Sequence, residues 1–446
     1  MGKVSEQQKV DQQDDFASER VPYEKRYNWL TITVIRFGQM SALSQFLLGA
    51  TLGFGMTFWD AFWAITLGAV ILEFVMIFIG YLGMKEGLQT SLLSRWTGFG
   101  YLGSGILGII IGVSNVGWFG VQNAVFASGL EQLIGVLPFW AWCIISGAIV
   151  IGIVYFGVAS MGLIAYVTVP LFLVVCFYSI AQALSGHSLG QLMASSAPGP
   201  HLSITAGATL VAGSFIVGGA VTPDMTRFNR TFGDVIKQTV IGVTLGEYTV
   251  ALIGVLLAHA LKTADVISII LTTSGVLGTV ILIASTVKIN DWNLYNCTLG
   301  VVNSVEVLTG RKVSRKKTTL VVGGLGVVFS AMGILDHFIG FLTLLSVFIP
   351  PVASIMLVDY FVLRRQRQLL DESREKGVLP SVTEQWNPVG FVAWIGGALA
   401  GQYITWGIAS LNALIVAGVL YYLGGILFLK NRQSITGLYG NVKSLS

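Results

Sequence analysis

Charge is scarce in this chain. Asp, Glu, Lys and Arg together make up 11% of its 446 residues, against about a quarter in ordinary soluble domains. With 54% hydrophobic residues, that scarcity excludes a soluble globular fold. Cysteine is nearly absent: Cys143, Cys176 and Cys297 lie in apolar segments without paired spacing, which excludes a disulfide framework or a thiolate metal site. The histidines, His187, His201, His259 and His337, are scattered, so no metal centre is expected, and each is read as a surface or interfacial residue. No nucleophile stands with a base, so an enzyme is not indicated. The polar N-terminus, up to Tyr27, lacks the basic stretch and short apolar core of a cleavable signal peptide. It is expected to stay in the cytoplasm, and the net charge of +4 reflects basic loops rather than nucleic-acid binding.

What is present is a succession of apolar runs and 54 glycines. Runs near the roughly 20 residues that cross a bilayer fall at 29–56, 58–83, 100–130, 139–157, 163–184, 204–222, 238–261, 276–303, 318–333, 338–363, 389–407 and 411–429. The expectation is an all-α polytopic membrane protein with twelve transmembrane helices. With the N-terminus inside, nearly every lysine and arginine falls in a cytoplasmic loop, among them Arg311 to Lys317 and Arg364 to Lys376. Lys262 alone is left outside, and both termini are cytoplasmic. The implied segments are a tail (1–27), a first five-helix unit (28–184), a second (204–363), a charged, loop-like linker (364–388), a helix pair (389–429) and a C-terminal tail (430–446).

Two spans carry signs of a broken helix. The first contains FGQMSALSQFLLGATLGFG, Phe37 to Gly55, and the sixth contains VAGSFIVGGAVTPD, Val211 to Asp224, with Gly213, Gly218, Gly219 and Pro223. Small and polar residues let a helix unwind where freed backbone faces a cavity, and matched interruptions in two halves mark a transporter's midplane site. Glycine at tight helix crossings is the competing reading. The interruptions stand five spans apart, which fits a five-plus-five inverted repeat followed by two extra helices. Pro350 and Pro351 are expected to kink the tenth span.

In the third span Asn115, Trp118 and Gln122 recur at helical spacing, so one face presents an amide, an indole and a second amide. A flat polar heterocycle needs an aromatic plane to stack on and amides to read its edge. The eighth span reads IASTVKINDWNLYN, Ile283 to Asn296. A charge at mid-bilayer costs about 2.5 to 3.5 kcal/mol on insertion scales, so Lys288 and Asp291 are expected to face protein, ligand or a wet cavity.

These residues resemble the nucleobase:cation symporter-1 family, and within it the bacterial cytosine permeases. The resemblance is carried by GATLG at Gly49 to Gly53, NVGWFGV at Asn115 to Val121, and GSFI at Gly213 to Ile216 with T-x-D-x-x-RF at Thr222 to Phe228. ND-x-x-LY at Asn290 to Tyr295 and IPPV with a D-Y pair at Ile349 to Tyr360 complete it. It implies a LeuT-type fold of two inverted five-helix repeats and two peripheral helices. The substrate would lie between Trp118 and Phe215, with Asn115, Gln122, Ser214, Gly219 and Asn290 around it. A cation site would use backbone near Gly38 and Ala42 together with Ser285 and Lys288. Cytosine permeases carry an amide and two threonines where this chain has Ser285, Lys288 and Ile289, so the oxygen ligands for a hard cation are reduced. Glu73 and Glu247 are the possible partners of Lys288.

The expected function is secondary import, across the cell inner membrane, of cytosine or a related base by alternating access. Proton coupling and sodium independence are both open, and no cofactor is expected. Hydantoin, allantoin or a hydroxymethylpyrimidine is the alternative cargo, and a membrane nutrient sensor the alternative class. The bilayer is the expected surrounding, with neither nucleic acid nor an obligate protein partner indicated.

Overall fold

The computed structural model describes residue 16 and residues 19–156, 158–311, 313–429 and 439–441, with side chains throughout these except at 158–169, 281–285, 288 and 439–441. The chain is helical almost throughout. In order come α1 (Trp29–Met40), α2 (Leu43–Gly55), α3 (Phe58–Glu86), α4 (Thr90–Trp96), α5 (Gly100–Ile134), α6 (Phe139–Phe156), α7 (Val158–Gly186), α8 (Leu189–Ala194), α9 (Ile204–Ala220) and α10 (Pro223–Thr226). They are followed by α11 (Phe232–Leu261), α12 (Val266–Thr309), α13 (Arg315–Ala331), α14 (Ile334–Leu363), α15 (Arg367–Glu375), α16 (Pro388–Tyr403) and α17 (Ala409–Leu429).

Among the described residues, α3, α5, α6, α11, α14 and α17 are long and apolar enough to cross a membrane unaided. Several other expected spans are shorter or divided, because their helices break. The first expected span is two helices, α1 and α2. Ser41 (φ −76°, ψ 58°) and Ala42 (φ −127°, ψ 151°) leave the helical region between them. The sixth ends at Val221 (ψ 16°) before the single turn of α10, whose Pro223 has no N–H to continue the ladder. Inside α12, Gly275 takes φ +65° and ψ −165°, so the eighth span begins on its far side. α14 is divided at Ile349, where Pro350 starts its second half.

The breaks in the first and sixth spans do not fall on a glycine. Gly49 and Gly53 of α2 instead meet the backbone of Ala251 and Val255 on α11, where a methyl at either position would overlap a carbonyl. Small residues of this kind let two backbones touch. Gly49 and Gly53 are therefore crossing residues, and the unwinding sits about two turns earlier in the chain. The segment expected as a charged loop is partly ordered. It forms α15, and its Val382–Glu384 pairs antiparallel with Tyr439–Asn441. His259, expected at the surface or an interface, is buried between α2, α8 and α11. Its ring nitrogens lie 3.0 Å from the carbonyl of Leu192 and 2.9 Å from that of Met56.

The core places the two broken helices beside two unbroken ones. α2 packs on α11 and α9 on α3, while α12 runs along α5. The first half of α14 lies over α9, with Phe338 and Phe341 set edge-on to Trp118 at 6.4 and 5.4 Å.

Candidate functional site

A cavity lies where the two breaks meet α5 and α12. Its volume, counted as space open to the centre of a water, is about 90 Å³. One water needs roughly 10–15 Å³ on that measure, so this is no packing defect. Each wall follows from local helix geometry. From α5 come Asn115, Trp118 and Gln122, the face that their spacing sets. From α9 come Ser214, Phe215 and Gly218, and past its broken end Asp224 of α10. The α1–α2 break adds Arg36 and Gln39 on one side, Ser44 and Gln45 on the other. From α12 come Ile289, Trp292, Asn293 and Asn296, which share one helical face.

Of the residues singled out in the sequence, Asn115, Trp118, Gln122, Ser214 and Phe215 thus surround one space, although they lie about a hundred positions apart. Asn290 does not join them. It is fully buried, its Nδ2 donates to the carbonyl of Phe119 at 3.3 Å, and it belongs to the face of α12 that packs on α5. Asn293, three residues on, takes the cavity position instead. Gly219 lies behind Gly218, toward Met76 and Leu72 of α3. Gly38 and Ala42 flank the α1–α2 break. The side chains of Ser285 and Lys288 lie outside the described residues, so the expected cation site is traced only on its α1–α2 side. Glu73 accepts the hydroxyl of Thr244 at 2.7 Å, one turn before Glu247 on α11, which brings the two carboxyls close together. Glu247 is 1% exposed.

Arg36, Gln39, Gln45 and Asn293 were not anticipated. For Asn293 a signal existed, since Ile289, Asn293 and Asn296 share a face by spacing alone. For Arg36 and Gln45 the position of the break decides which way each points, and the glycines drew attention elsewhere.

The polar atoms of the cavity are unevenly satisfied. Asn115 donates to Ile111 of its own helix at 2.9 Å. Gln45 Nε2 donates to Ser214 Oγ at 3.4 Å, and that hydroxyl donates in turn to the carbonyl of Val211 at 2.7 Å. The Oε1 atoms of Gln45 and Gln122 are buried and have no partner among the described residues. Buried polar atoms are normally paired, so two unmet acceptors on residues that line one cavity mark a place for hydrogen-bond donors. Trp118 and Phe215 supply aromatic surface beside them, and the guanidinium of Arg36 stands 5.7 Å from the Phe215 ring centre.

Residues 20–427 match the family model described as a permease for cytosine/purines, uracil, thiamine and allantoin. The cytosine permease of Escherichia coli (strain K12) is 30% identical over 415 residues, 93% of this chain and 94% of that protein. The hydantoin permease of Microbacterium maritypicum is 24% identical over 434 residues, 89% of this chain and 86% of its own length. Among solved structures, the inward-facing conformation of Mhp1 superposes with a TM-score of 0.78 at 19% identity, covering 93% of this chain and 94% of that one. A Na+-coupled sialic acid symporter follows at 0.62 and 11%, with 96% and 93% covered. The likeness to Mhp1 gives the chain a LeuT-like transporter fold, and its homologues are permeases and transporters rather than enzymes. By the match along nearly its whole length, the chain belongs to the membrane permease family for cytosine, purines, uracil, thiamine and allantoin.

Proposed function

We propose that this protein imports a small planar nitrogenous heterocycle, a pyrimidine or purine base or a close relative, across the cell inner membrane by alternating access. The observation that carries the reading is the convergence of Trp118, Phe215 and buried amides on one cavity at two helix breaks. Irregular backbone at membrane depth is tolerated where it lines such a cavity. The ring stacks between Trp118 and Phe215 while Gln45, Gln122 and Asn293 read its edge. In this reading twelve spans form two inverted five-helix repeats (28–184 and 204–363) and a peripheral pair, with both termini on the cytoplasmic side. Lys288 stands in place of a cation ligand, so transport is proton-coupled or independent of sodium. A hydantoin or another cyclic amide is the second reading of the cargo, favoured by the similarity to a hydantoin permease.

Counterflow of labelled base in proteoliposomes tests transport, and imposed proton or sodium gradients test coupling. Trp118→Ala is expected to raise the half-saturating concentration about tenfold or more, since stacking a base on an aromatic ring is worth about 1 to 3 kcal/mol. Failure of every base, hydantoin and allantoin to exchange would overturn the transport reading. Strong sodium dependence would overturn the coupling.

A further inference from the structure

Arg36 is an expensive residue to place here. It is 2% exposed, sits just before the α1–α2 break and lines the cavity. Its guanidinium holds five N–H groups in a fixed fork and accepts nothing. Nε donates to Gln238 Oε1 at 3.0 Å and Nη2 to Thr222 Oγ1 at 2.8 Å. The hydroxyl of Thr222 gives its own hydrogen to the carbonyl of Gly218 at 3.1 Å, so toward Arg36 it only accepts. Nη1 has two long contacts, 3.3 Å to Gln39 Oε1 and 3.5 Å to the Gly218 carbonyl. The fork is thus under-used on its Nη side, and every one of these partners is neutral.

The carboxylate on the same cavity wall does not resolve this. Asp224 Oδ1 accepts the amide and the hydroxyl of Thr90 at 2.7 and 2.9 Å, and the cation of Arg227 lies beside it. The charge of Asp224 also acts on Arg36 at longer range, but the two make no ion pair within 4 Å among the described residues. A buried cation held by neutral acceptors is costly unless a further acceptor reaches it.

On the other side of the α1–α2 break the need is reversed. Gln45 is 2% exposed, and its orientation is set by chemistry. Ser214 has committed its hydrogen to Val211, so it can only accept from the Gln45 amide nitrogen, which leaves Gln45 Oε1 for a donor. Gln122 Oε1, equally buried, adds a second acceptor.

We propose that Arg36 is a specificity-determining residue, and that with Gln45 it selects an oxo-heterocycle whose adjacent C=O and ring N–H meet Arg36 and Gln45 respectively. This rests on the transport reading above and narrows its cargo. Uracil and hydantoin offer several such pairs, cytosine offers one, and adenine offers none. An exocyclic amine turned to Arg36 sets N–H against N–H, and a bare ring nitrogen turned to Gln45 Oε1 sets acceptor against acceptor. A site that hydrogen-bonds its ligand rejects an analogue that leaves the site's buried groups unpaired.

The test is competition by unlabelled uracil, hydantoin, cytosine and adenine against labelled uracil counterflow in proteoliposomes of the full chain. Uracil, hydantoin and cytosine, which all offer the pair, are each expected to compete about tenfold or more better than adenine, which offers none. Arg36→Met should bring uracil and adenine nearer to parity, with the unliganded melting midpoint checking the fold. Should that variant fail to fold, Gln45→Met, which breaks one long bond, is expected to shrink the same ratio. Adenine competing as well as uracil overturns the inference while leaving the transport reading in place. So does a ratio unchanged in both variants. No exchange of any of the four, or of allantoin, overturns both readings together.

Discussion

Glu86, at the end of α3 that meets the N-terminal segment, collects Arg20, Arg374 and Tyr360, whereas at the far end of the bundle His259 spans two backbone carbonyls. Arg20 reaches Glu86 Oε2 at 3.0 Å and Ser373 Oγ at 2.7 Å, and Arg374 reaches Glu86 Oε1 at 2.6 Å. The phenol of Tyr360 donates to the same oxygen at 2.6 Å. A second network joins Asp359 to Tyr421 and Arg365, and Arg365 to Glu384 at 3.1 Å. All six ion pairs among the described residues lie at this end. The opposite end is closed by neutral bonds, such as Gly199 N to the Phe54 carbonyl at 2.7 Å and Leu202 N to that of Gly55 at 2.8 Å. Among the described residues, ion pairs therefore tie segments distant in sequence at one face only, where lysine and arginine are plentiful. The other face relies on backbone geometry.

Three perturbations would break or sharpen this contrast. The largest effect is expected from Glu86→Ala, which strands Arg20 and Arg374. Removing one partner of a buried ion pair costs about 3 to 5 kcal/mol, visible as a lower thermal midpoint in detergent. A loss under about 1 kcal/mol would mean that the cluster is solvated and the contrast superficial. At the other end, His259→Ala removes the ring N–H from between the buried carbonyls of Met56 and Leu192 and leaves the one it serves without a donor, a cost of about 1 to 3 kcal/mol. His259→Gln, which keeps a donor, should recover part of it. Smallest is Asp371→Asn on α15, where the carboxylate pairs with Arg367 and Arg374 but is 37% exposed. Surface pairs of this kind contribute about 1 kcal/mol or less, and salt should shrink the difference further.

Asp371 also carries a pH signature. Burial raises its carboxyl, but the hydrogen bonds from Arg374 and Arg367 outweigh that and hold it below its ordinary value. A folded pKa below the unfolded one, about 3.9, gives stability that is present above that value. It is lost as pH falls through the folded pKa. Wild type and Asp371→Asn should therefore converge in acid, and a gap that widened there would contradict the pairing.

Sequence and structure agree best where long apolar runs coincide with single helices, as in α3, α5 and α6. The α5 face bearing Asn115, Trp118 and Gln122 was equally legible, because one unbroken helix fixes their directions. Where the chain breaks, legibility fails. Glycine signals both unwinding and close approach, and here Gly49 and Gly53 serve approach while Ser41 and Ala42 unwind. Asn290 and Asn293 are both amides on one helix, and only the placement of α5 decides that the first is buried in packing and the second faces the cavity. The ordered linker escaped for another reason. α15 is too polar to show an apolar stripe, and it is held by Arg20 and Glu86, hundreds of residues away in sequence.

The seam between α2 and α11 has a mechanical meaning. With Gly49 and Gly53 seated against the carbonyls of Ala251 and Val255, neither helix can slide along the other without driving a carbonyl through a Cα. The pair is a strut that transmits force without absorbing it. Any motion that opens the cavity must then bend at joints outside the strut, Ser41–Ala42 ahead of α2 and Val221–Thr222 at the end of α9. A methyl added at Gly49 would act as a wedge in the strut and leave the hinge untouched.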